Sequence, residues 1–211
     1  MSDLYEVSIR NANPSKRTMC LFLEYPGIQV SNLKTYAWLY ETTTLGGVVT
    51  FKWEQNCQVG YVKTKTDTAN NRRTEIVSRK LVPMELGNLN SVKIFKDTED
   101  DYGVTEPVKE QRLNHNEVYI ECDSTVSASD QCHIAVGMGD RVAFSYPTEP
   151  NMNHTLAINP RIYLMATSRV VTGDISDTMR SNAVLLDFKD GNEERFEYTK
   201  DNRFVRDAMK Q

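Results

Sequence analysis

The sequence has no hydrophobic run that approaches the ~20 residues a helix needs to cross a bilayer. Residues 1–10 also lack the basic segment followed by an apolar segment that marks a secretion signal. Basic residues are not in excess, since 25 Lys and Arg stand against 29 Asp and Glu, and this balance disfavours a dedicated nucleic-acid binder. We therefore expect a soluble, cytoplasmic protein with no membrane span and no nucleic-acid partner.

The composition shows neither of the two features that keep a chain disordered, low hydrophobicity and a large net charge. Hydrophobic residues make up 39% of the 211 residues, charged residues make up 26%, and the net charge is only −4. A chain of this length and composition can bury a substantial core. We expect a single domain spanning residues 1–211.

The cysteines lack the close spacing of zinc sites, in which one turn presents two thiolates to one ion. They stand far apart, at Cys20, Cys57, Cys122 and Cys132. We expect four buried free thiols, because a cysteine in a reducing compartment usually stays reduced and packs as a small hydrophobic residue. An alternative metal site would need ligands from different strands, namely Cys122, Cys132, His133 and His154. No other feature of the sequence predicts a cofactor.

Sequence motifs that indicate catalysis or the binding of phosphate or calcium are also missing. The glycine pair in 137–140 is followed by a strand pattern, so a tight turn is expected there and not a phosphate-binding loop. The acidic run 97–101 lacks the glycine and glutamate spacing of a calcium loop. Neither a nucleophile elbow nor a zinc-protease helix occurs, and none of His115, His133 and His154 is expected to be catalytic. His115 is expected to be exposed and His133 to be partly buried and hydrogen-bonded. The sequence therefore predicts a protein that is not an enzyme.

Alternating apolar and polar residues run through most of the chain, with turn residues about every ten positions. Such spacing is typical of sandwiches and barrels. The pattern predicts an all-β protein, an antiparallel β-sandwich of jelly-roll or immunoglobulin-like type. The expected strands are 5–9, 18–25, 35–41, 48–53, 57–63, 91–96, 117–122, 132–136, 141–146, 154–158 and 161–168.

Aromatic residues cluster in the third and fourth of these strands. In 35–41, Tyr36, Trp38 and Tyr40 share one parity and are expected on one face, and Trp53 closes the next strand. Exposed rings of this kind would stack on sugars, whereas buried rings would fill a sandwich core. The core interpretation is favoured, and a carbohydrate-binding surface on these four residues is the alternative.

Two regions depart from the regular pattern. Residues 64–116 have little apolar periodicity and are expected to form a large loop-rich insertion, with a solvated loop at 64–75. Residues 184–198 are expected to form a C-terminal hairpin, in which parity places Phe188 opposite Phe196 and leaves a three-residue loop at 191–193. After it, 201–211 has the spacing of a short helix.

The order of several motifs resembles the RhiA family of rhizosphere-expressed bacterial proteins. The most specific segments are Phe-Lys-Trp at 51–53 and Pro-Asn-Met-Asn at 150–153. Further similar segments are 5–11, 20–23, 25–26, 37–38, 48–50, 134–138, 154–156 and 160–167. The resemblance covers roughly 4–63 and 117–172, while 64–115 and the C-terminal hairpin look divergent.

The resemblance implies a small soluble bacterial protein that is made without a signal peptide, abundantly and under population-density control. It implies no reaction and no catalytic residues. Together with the missing catalytic motifs, it favours a non-enzymatic protein that acts by self-association as a homo-oligomer or by binding another protein. A lectin-like carbohydrate binder is the alternative.

Overall fold

The computed structural model describes residues 4–26, 28, 30–67, 73–97, 101–168, 182–189 and 191–207. These residues form β-strands joined by turns, with one 3-10 turn at Ala128–Asp130 and no α-helix within the described ranges. The prediction of an all-β protein is confirmed. The first nine strands are β1 (Leu4–Asn11), β2 (Arg17–Glu24), β3 (Lys34–Thr35), β4 (Leu39–Thr43), β5 (Val48–Glu54), β6 (Cys57–Asp67), β7 (Arg73–Met84), β8 (Ser91–Lys96) and β9 (Tyr102–Val104). The others are β10 (Glu117–Cys122), β11 (Cys132–Met138), β12 (Arg141–Pro147), β13 (Asn153–Ala157), β14 (Arg161–Thr167), β15 (Val184–Leu185), β16 (Glu193–Tyr198) and β17 (Phe204–Arg206).

The strands assemble into four sheets. Sheet A has the order β17-β16-β1-β5, and sheet B has the order β15-β14-β2-β4. Sheet C has the order β3-β12-β11-β6-β7, and sheet D has the order β13-β10-β8-β9. Most neighbours are antiparallel, as expected for short connections, but β1 runs parallel to β16 and β8 runs parallel to β10. Packing of these sheets in two layers, as a sandwich requires, stays a prediction.

All four sheets bury side chains in one apolar cluster. In β5, side chains alternate strictly between buried and exposed, so that Val49, Phe51 and Trp53 enter the cluster. In β11, every residue is buried, because both faces of sheet C are covered at its centre. Full burial of a large apolar side chain contributes about 1.5–3 kcal/mol. The expectation of a single domain, which a shared core suits, stays a prediction.

The chain changes sheets at Trp38. Residues 35–41 were expected to form one strand, but β3 pairs with β12 in sheet C whereas β4 pairs with β2 in sheet B. Trp38 lies between them, 1% exposed, and its indole Nε1 donates to the carbonyl of Met138 at 2.7 Å. Burial of this ring bends the chain, and the prediction of a continuous strand was therefore wrong.

Regular strands occupy much of the segment 64–116 that was expected to be loop-rich. The antiparallel hairpin of β6 and β7 runs from Cys57 to Met84, and β8 and β9 follow in sheet D. The register of the hairpin shifts between Lys63 and Thr64, which leaves Val77 as the extra residue of a β-bulge. The expected solvated loop at 64–75 was wrong for 64–67 and 73–75, which are strand residues paired through their backbones although their sequence has no apolar alternation. Residues 68–72 lie outside the described residues.

A C-terminal hairpin is present, but different strands form it. β16 pairs with β17, so that Tyr198 lies opposite Phe204, while β15 joins β14 in sheet B. The expected register of Phe188 opposite Phe196 was wrong because β16 is already paired on its other side with β1. The helix expected at 201–211 is replaced by β17 at 204–206, and 208–211 lie outside the described residues.

Gly60 allows the close pairing of β6 with β7. A Cβ atom at this position would overlap the backbone carbonyl oxygen of Lys80, which cannot move without disturbing β7. We expect Gly60→Ala to lower the free energy of unfolding by about 2–3 kcal/mol, measured by urea titration. Gly139→Ala is the control, because its Cβ would meet open space and only the positive φ of 56° costs about 1 kcal/mol. Equal losses in the two variants would contradict the steric interpretation.

Candidate functional site

Burial removes most of the expected aromatic sugar-binding surface. Trp38, Trp53 and Tyr36 are 1%, 5% and 4% exposed, and only Tyr40, at 44%, presents its ring to solvent. The two indoles meet edge to face with their centroids 5.6 Å apart. The expectation that Tyr36, Trp38 and Tyr40 share one face was wrong, because the strand breaks between them. These positions leave no exposed row of rings on which a sugar could stack.

The expected metal ligands lie on three strands. Cys122 ends β10, Cys132 and His133 begin β11, and His154 lies in β13. Within the described ranges, no three His, Cys, Asp or Glu side chains converge as a metal would require. Burial raises the pKa of both Cys122 and Cys132 to about 12, so the thiols are protonated, which is unfavourable for metal binding.

His133 is the centre of a buried polar chain on the second face of sheet C. Its Nδ1 lies 3.5 Å from the hydroxyl of Ser145, and its Nε2 lies 3.5 Å from the hydroxyl of Thr64. Ser145 in turn shares a 2.9 Å hydrogen bond with the hydroxyl of Tyr36. A serine beside a histidine resembles a nucleophile with its base, but Ser145 is fully buried. This chain of hydrogen bonds satisfies polar groups inside the protein, and its serine is not accessible to a substrate.

A cleft of about 330 Å³ opens where sheets A and B meet. Tyr5 and Trp53 stack with centroids 5.9 Å apart, and Phe188 meets both rings edge-on, which builds an aromatic wall. The indole Nε1 of Trp53 is buried and has no hydrogen-bond partner among the described residues. The lining combines this wall with other apolar and charged side chains, namely Tyr5, Trp53, Gln55, Pro160, Arg161, Ile162, Leu185, Leu186, Asp187, Phe188 and Lys189.

Buried Glu194 fixes the backbone behind this cleft. Its Oε1 accepts hydrogen bonds from the backbone N–H of Asp187 at 2.8 Å and from the guanidinium of Arg206 at 2.9 Å. Burial raises the pKa of this carboxyl group, although the hydrogen bond from the Asp187 backbone and the charge of Arg206 oppose the shift. Glu194 thus ties the 187–189 segment to sheet A, and we assign it a structural role.

β5 forms an open edge of sheet A. Asn11 donates its backbone N–H to the carbonyl of Gly47 and accepts from the N–H of Gly46. The backbone N–H and C=O groups of the odd-numbered residues of β1 therefore point toward β5. The odd-numbered residues of β1 lie opposite the odd-numbered residues of β5. Backbone groups alternate in direction along a strand, so the N–H and C=O groups of the even-numbered residues of β5 point away from β1. Within the described part of the chain, no hydrogen bond from another strand reaches the outward backbone groups of Val48, Thr50 and Lys52.

The other sheet edges are shorter or interrupted. β3, β9, β15 and β17 are two or three residues long, and β4 and β13 are five. β7 is twelve residues long but carries Pro83 and the bulge at Val77, both of which hinder strand addition. β5 has seven residues, an unbroken register and no proline.

Sequence reasoning missed both the cleft and the open edge. The cleft depends on Phe188, which the expected hairpin placed opposite Phe196, and on the pairing of β14 with β15 over a long stretch of chain. Strict alternation in 48–54 was visible in the sequence, but whether a strand lies at an edge is decided by sheet order.

One family model, that of RhiA, matches residues 2–205. The chain belongs to the RhiA family. The matched span includes 64–115 and most of the C-terminal strands, which lay outside the resemblance seen in the sequence. Searches of curated proteins and of solved structures return no match. None of the described residues belongs to a helix long and apolar enough to cross a membrane.

His133 predicts a pH dependence of stability. Burial, aided by the charge of Lys34, lowers the pKa of His133 from its ordinary value to about 4. The unfolded chain therefore takes up a proton near pH 6.5 that the folded protein refuses until about pH 4. We expect the folded state to lose about 2 kcal/mol between pH 7 and pH 4.5 through this residue.

Urea titrations at both pH values will measure this loss. The difference between the two free energies of unfolding should be smaller by that amount in His133→Gln than in the wild type. His115→Gln, in an exposed loop, is the control and should keep the wild-type difference. If His133→Gln showed the same difference in the free energy of unfolding between the two pH values as the wild type, the loss would not come from His133.

Proposed function

We propose that this RhiA-family protein acts without catalysis, by associating with a second copy of itself through the open edge of β5. Unpaired strand edges are templates for backbone hydrogen bonds between chains. The single observation that carries the proposal is the row of outward backbone groups at Val48, Thr50 and Lys52 on a seven-residue strand with no bulge or proline.

The side chains of β5 suit antiparallel pairing of two identical edges. With Thr50 on the two-fold axis, Thr50 lies opposite Thr50 of the second copy, and Val48 lies opposite Lys52. Like charges therefore do not oppose each other across the axis. The ammonium group of Lys52 is already neutralised by Glu6 at 2.8 Å, which lowers the cost of bringing it close to a partner.

Exposed apolar side chains stand at the beginning of the same edge. Leu45, in the turn before β5, is 61% exposed, and Val48 is 60% exposed. Burial of such side chains against a second copy would add to the backbone hydrogen bonds, at about 25 cal/mol per Å² of apolar surface. Strand pairing and apolar burial at one edge together support association as the function.

The buried His133 chain also favours this function over an enzymatic one, because its serine has no access to a substrate. Carbohydrate binding on Trp38, Trp53, Tyr36 and Tyr40 has weaker support, since only Tyr40 is exposed. A cytoplasmic location belongs to the same proposal, and it is supported by the four free, buried cysteines, which are usual in a reducing compartment.

Thr50→Pro tests the edge directly. Proline removes the outward N–H of Thr50 but none of the hydrogen bonds between β1 and β5, and it is tolerated at sheet edges. By light scattering after size-exclusion chromatography over a concentration series, we expect a wild-type dimer and a dissociation constant raised by about tenfold or more in Thr50→Pro.

Thr50→Ala is the matched control. It removes the same 2.9 Å side-chain hydrogen bond to Ser8 but keeps the backbone N–H, so it should dimerise like the wild type. A wild-type protein that stays monomeric at high concentration would refute self-association. A dimer that Thr50→Pro leaves intact would place the contact elsewhere on the surface and overturn the role of β5.

A further inference from the structure

We propose that the cleft between sheets A and B binds a small aromatic carboxylate. This site is separate from the outward edge of β5 and does not depend on association. Its volume of about 330 Å³ lies at the lower end of the ~300–1,000 Å³ found for small-molecule sites, so the ligand is small.

The aromatic wall selects a flat apolar ring. Tyr5, Trp53 and Phe188 come from three separate parts of the chain and contact one another at centroid distances of 5.1–5.9 Å. Tyr5 and Phe188 are only partly buried, so part of each ring remains accessible beside the cleft. Aromatic rings prefer offset-stacked or edge-to-face neighbours at such distances, which a ligand ring can extend.

The polar groups of the cleft select an anion. Arg161 lines it and is exposed, and within the described residues its guanidinium forms no ion pair or hydrogen bond. Lys189 and Asp187, also in the lining, are joined by a 2.7 Å ion pair and largely cancel each other. Arg161 is thus the lining cation that no lining carboxylate pairs with, and Glu24 lies opposite it in the register of β14 with β2. A guanidinium binds a carboxylate through two parallel hydrogen bonds.

The unpartnered indole N–H of Trp53 is a second sign of an absent acceptor. Trp53 lines the cleft and is only 5% exposed, yet its Nε1 finds no hydrogen-bond partner in the part of the chain that the structure describes. Buried donors are nearly always satisfied, and the indole N–H can only donate. Because this atom is closed to solvent, a ligand oxygen becomes its partner only if the indole shifts on binding.

The experiment uses 2-naphthoate as the probe and the neutral 2-naphthamide as its matched analogue. Isothermal titration calorimetry of the full chain should show one naphthoate per protein chain, with the amide bound at least about tenfold more weakly, the loss expected for a charge-assisted contact. Arg161→Gln should weaken naphthoate by about tenfold and leave the amide unchanged.

Two matched tryptophan variants locate the site. Leu185, 43% exposed, lines this cleft, and Leu33, 40% exposed, lines a smaller one of about 200 Å³ elsewhere. Leu185→Trp should fill the cleft and abolish naphthoate binding, whereas Leu33→Trp should bind as the wild type does. Thermal unfolding of each variant verifies that it is folded. If Leu185→Trp does not fold, the binding of naphthoate to Arg161→Gln is used in its place.

Three results would overturn the proposal. One is the absence of naphthoate binding at millimolar concentration. Another is equal binding to Leu185→Trp, or to Arg161→Gln if that variant replaces it. The third is a neutral monosaccharide that binds more tightly than naphthoate and is lost in Leu185→Trp, which would make the cleft a sugar site. None of these results bears on the β5 dimer, because Thr50→Pro does not touch the cleft.

Discussion

The fold depends on burying one face of four separate sheets in a single apolar core. Trp38 shows how strongly this requirement acts, because its burial interrupts a strand and passes the chain from sheet C to sheet B. The hydrogen bond from its indole to the carbonyl of Met138 satisfies a donor that would otherwise be left unpaired in the core. All four sheets contribute to this shared core, and the edge of β5 and the cleft lie around it.

The open edge of β5 and the cleft lie at the border of this core. Most strands that end a sheet are too short, or too irregular, to offer a backbone to another chain. β5 is long and regular because its inward residues, Val49, Phe51 and Trp53, are all needed by the core. The same strand therefore supplies an open edge on one side and, through Trp53, part of the wall of the cleft.

Local patterns predicted what local interactions decide. Alternation at 5–9, 48–53 and 117–122 located strands correctly, because side-chain parity is a property of the strand itself. It failed at Phe188, since parity alone cannot show that β16 pairs with β1. It also failed at 64–67 and 73–75, where paired strand residues show no apolar alternation in the sequence. The individual residues of the cleft were visible in the sequence, but its existence depended on long-range pairing.

The parallel pairing of β1 with β16 sets an order for folding during synthesis. Ile9 lies opposite Phe196, 187 positions later in the chain (196 − 9), so β1 has no partner on this side until β16 has left the ribosome. Until then one side of β1 is an unprotected template, and contacts so distant in sequence form slowly. The nascent chain is therefore most prone to aggregation in the interval just before β16 emerges.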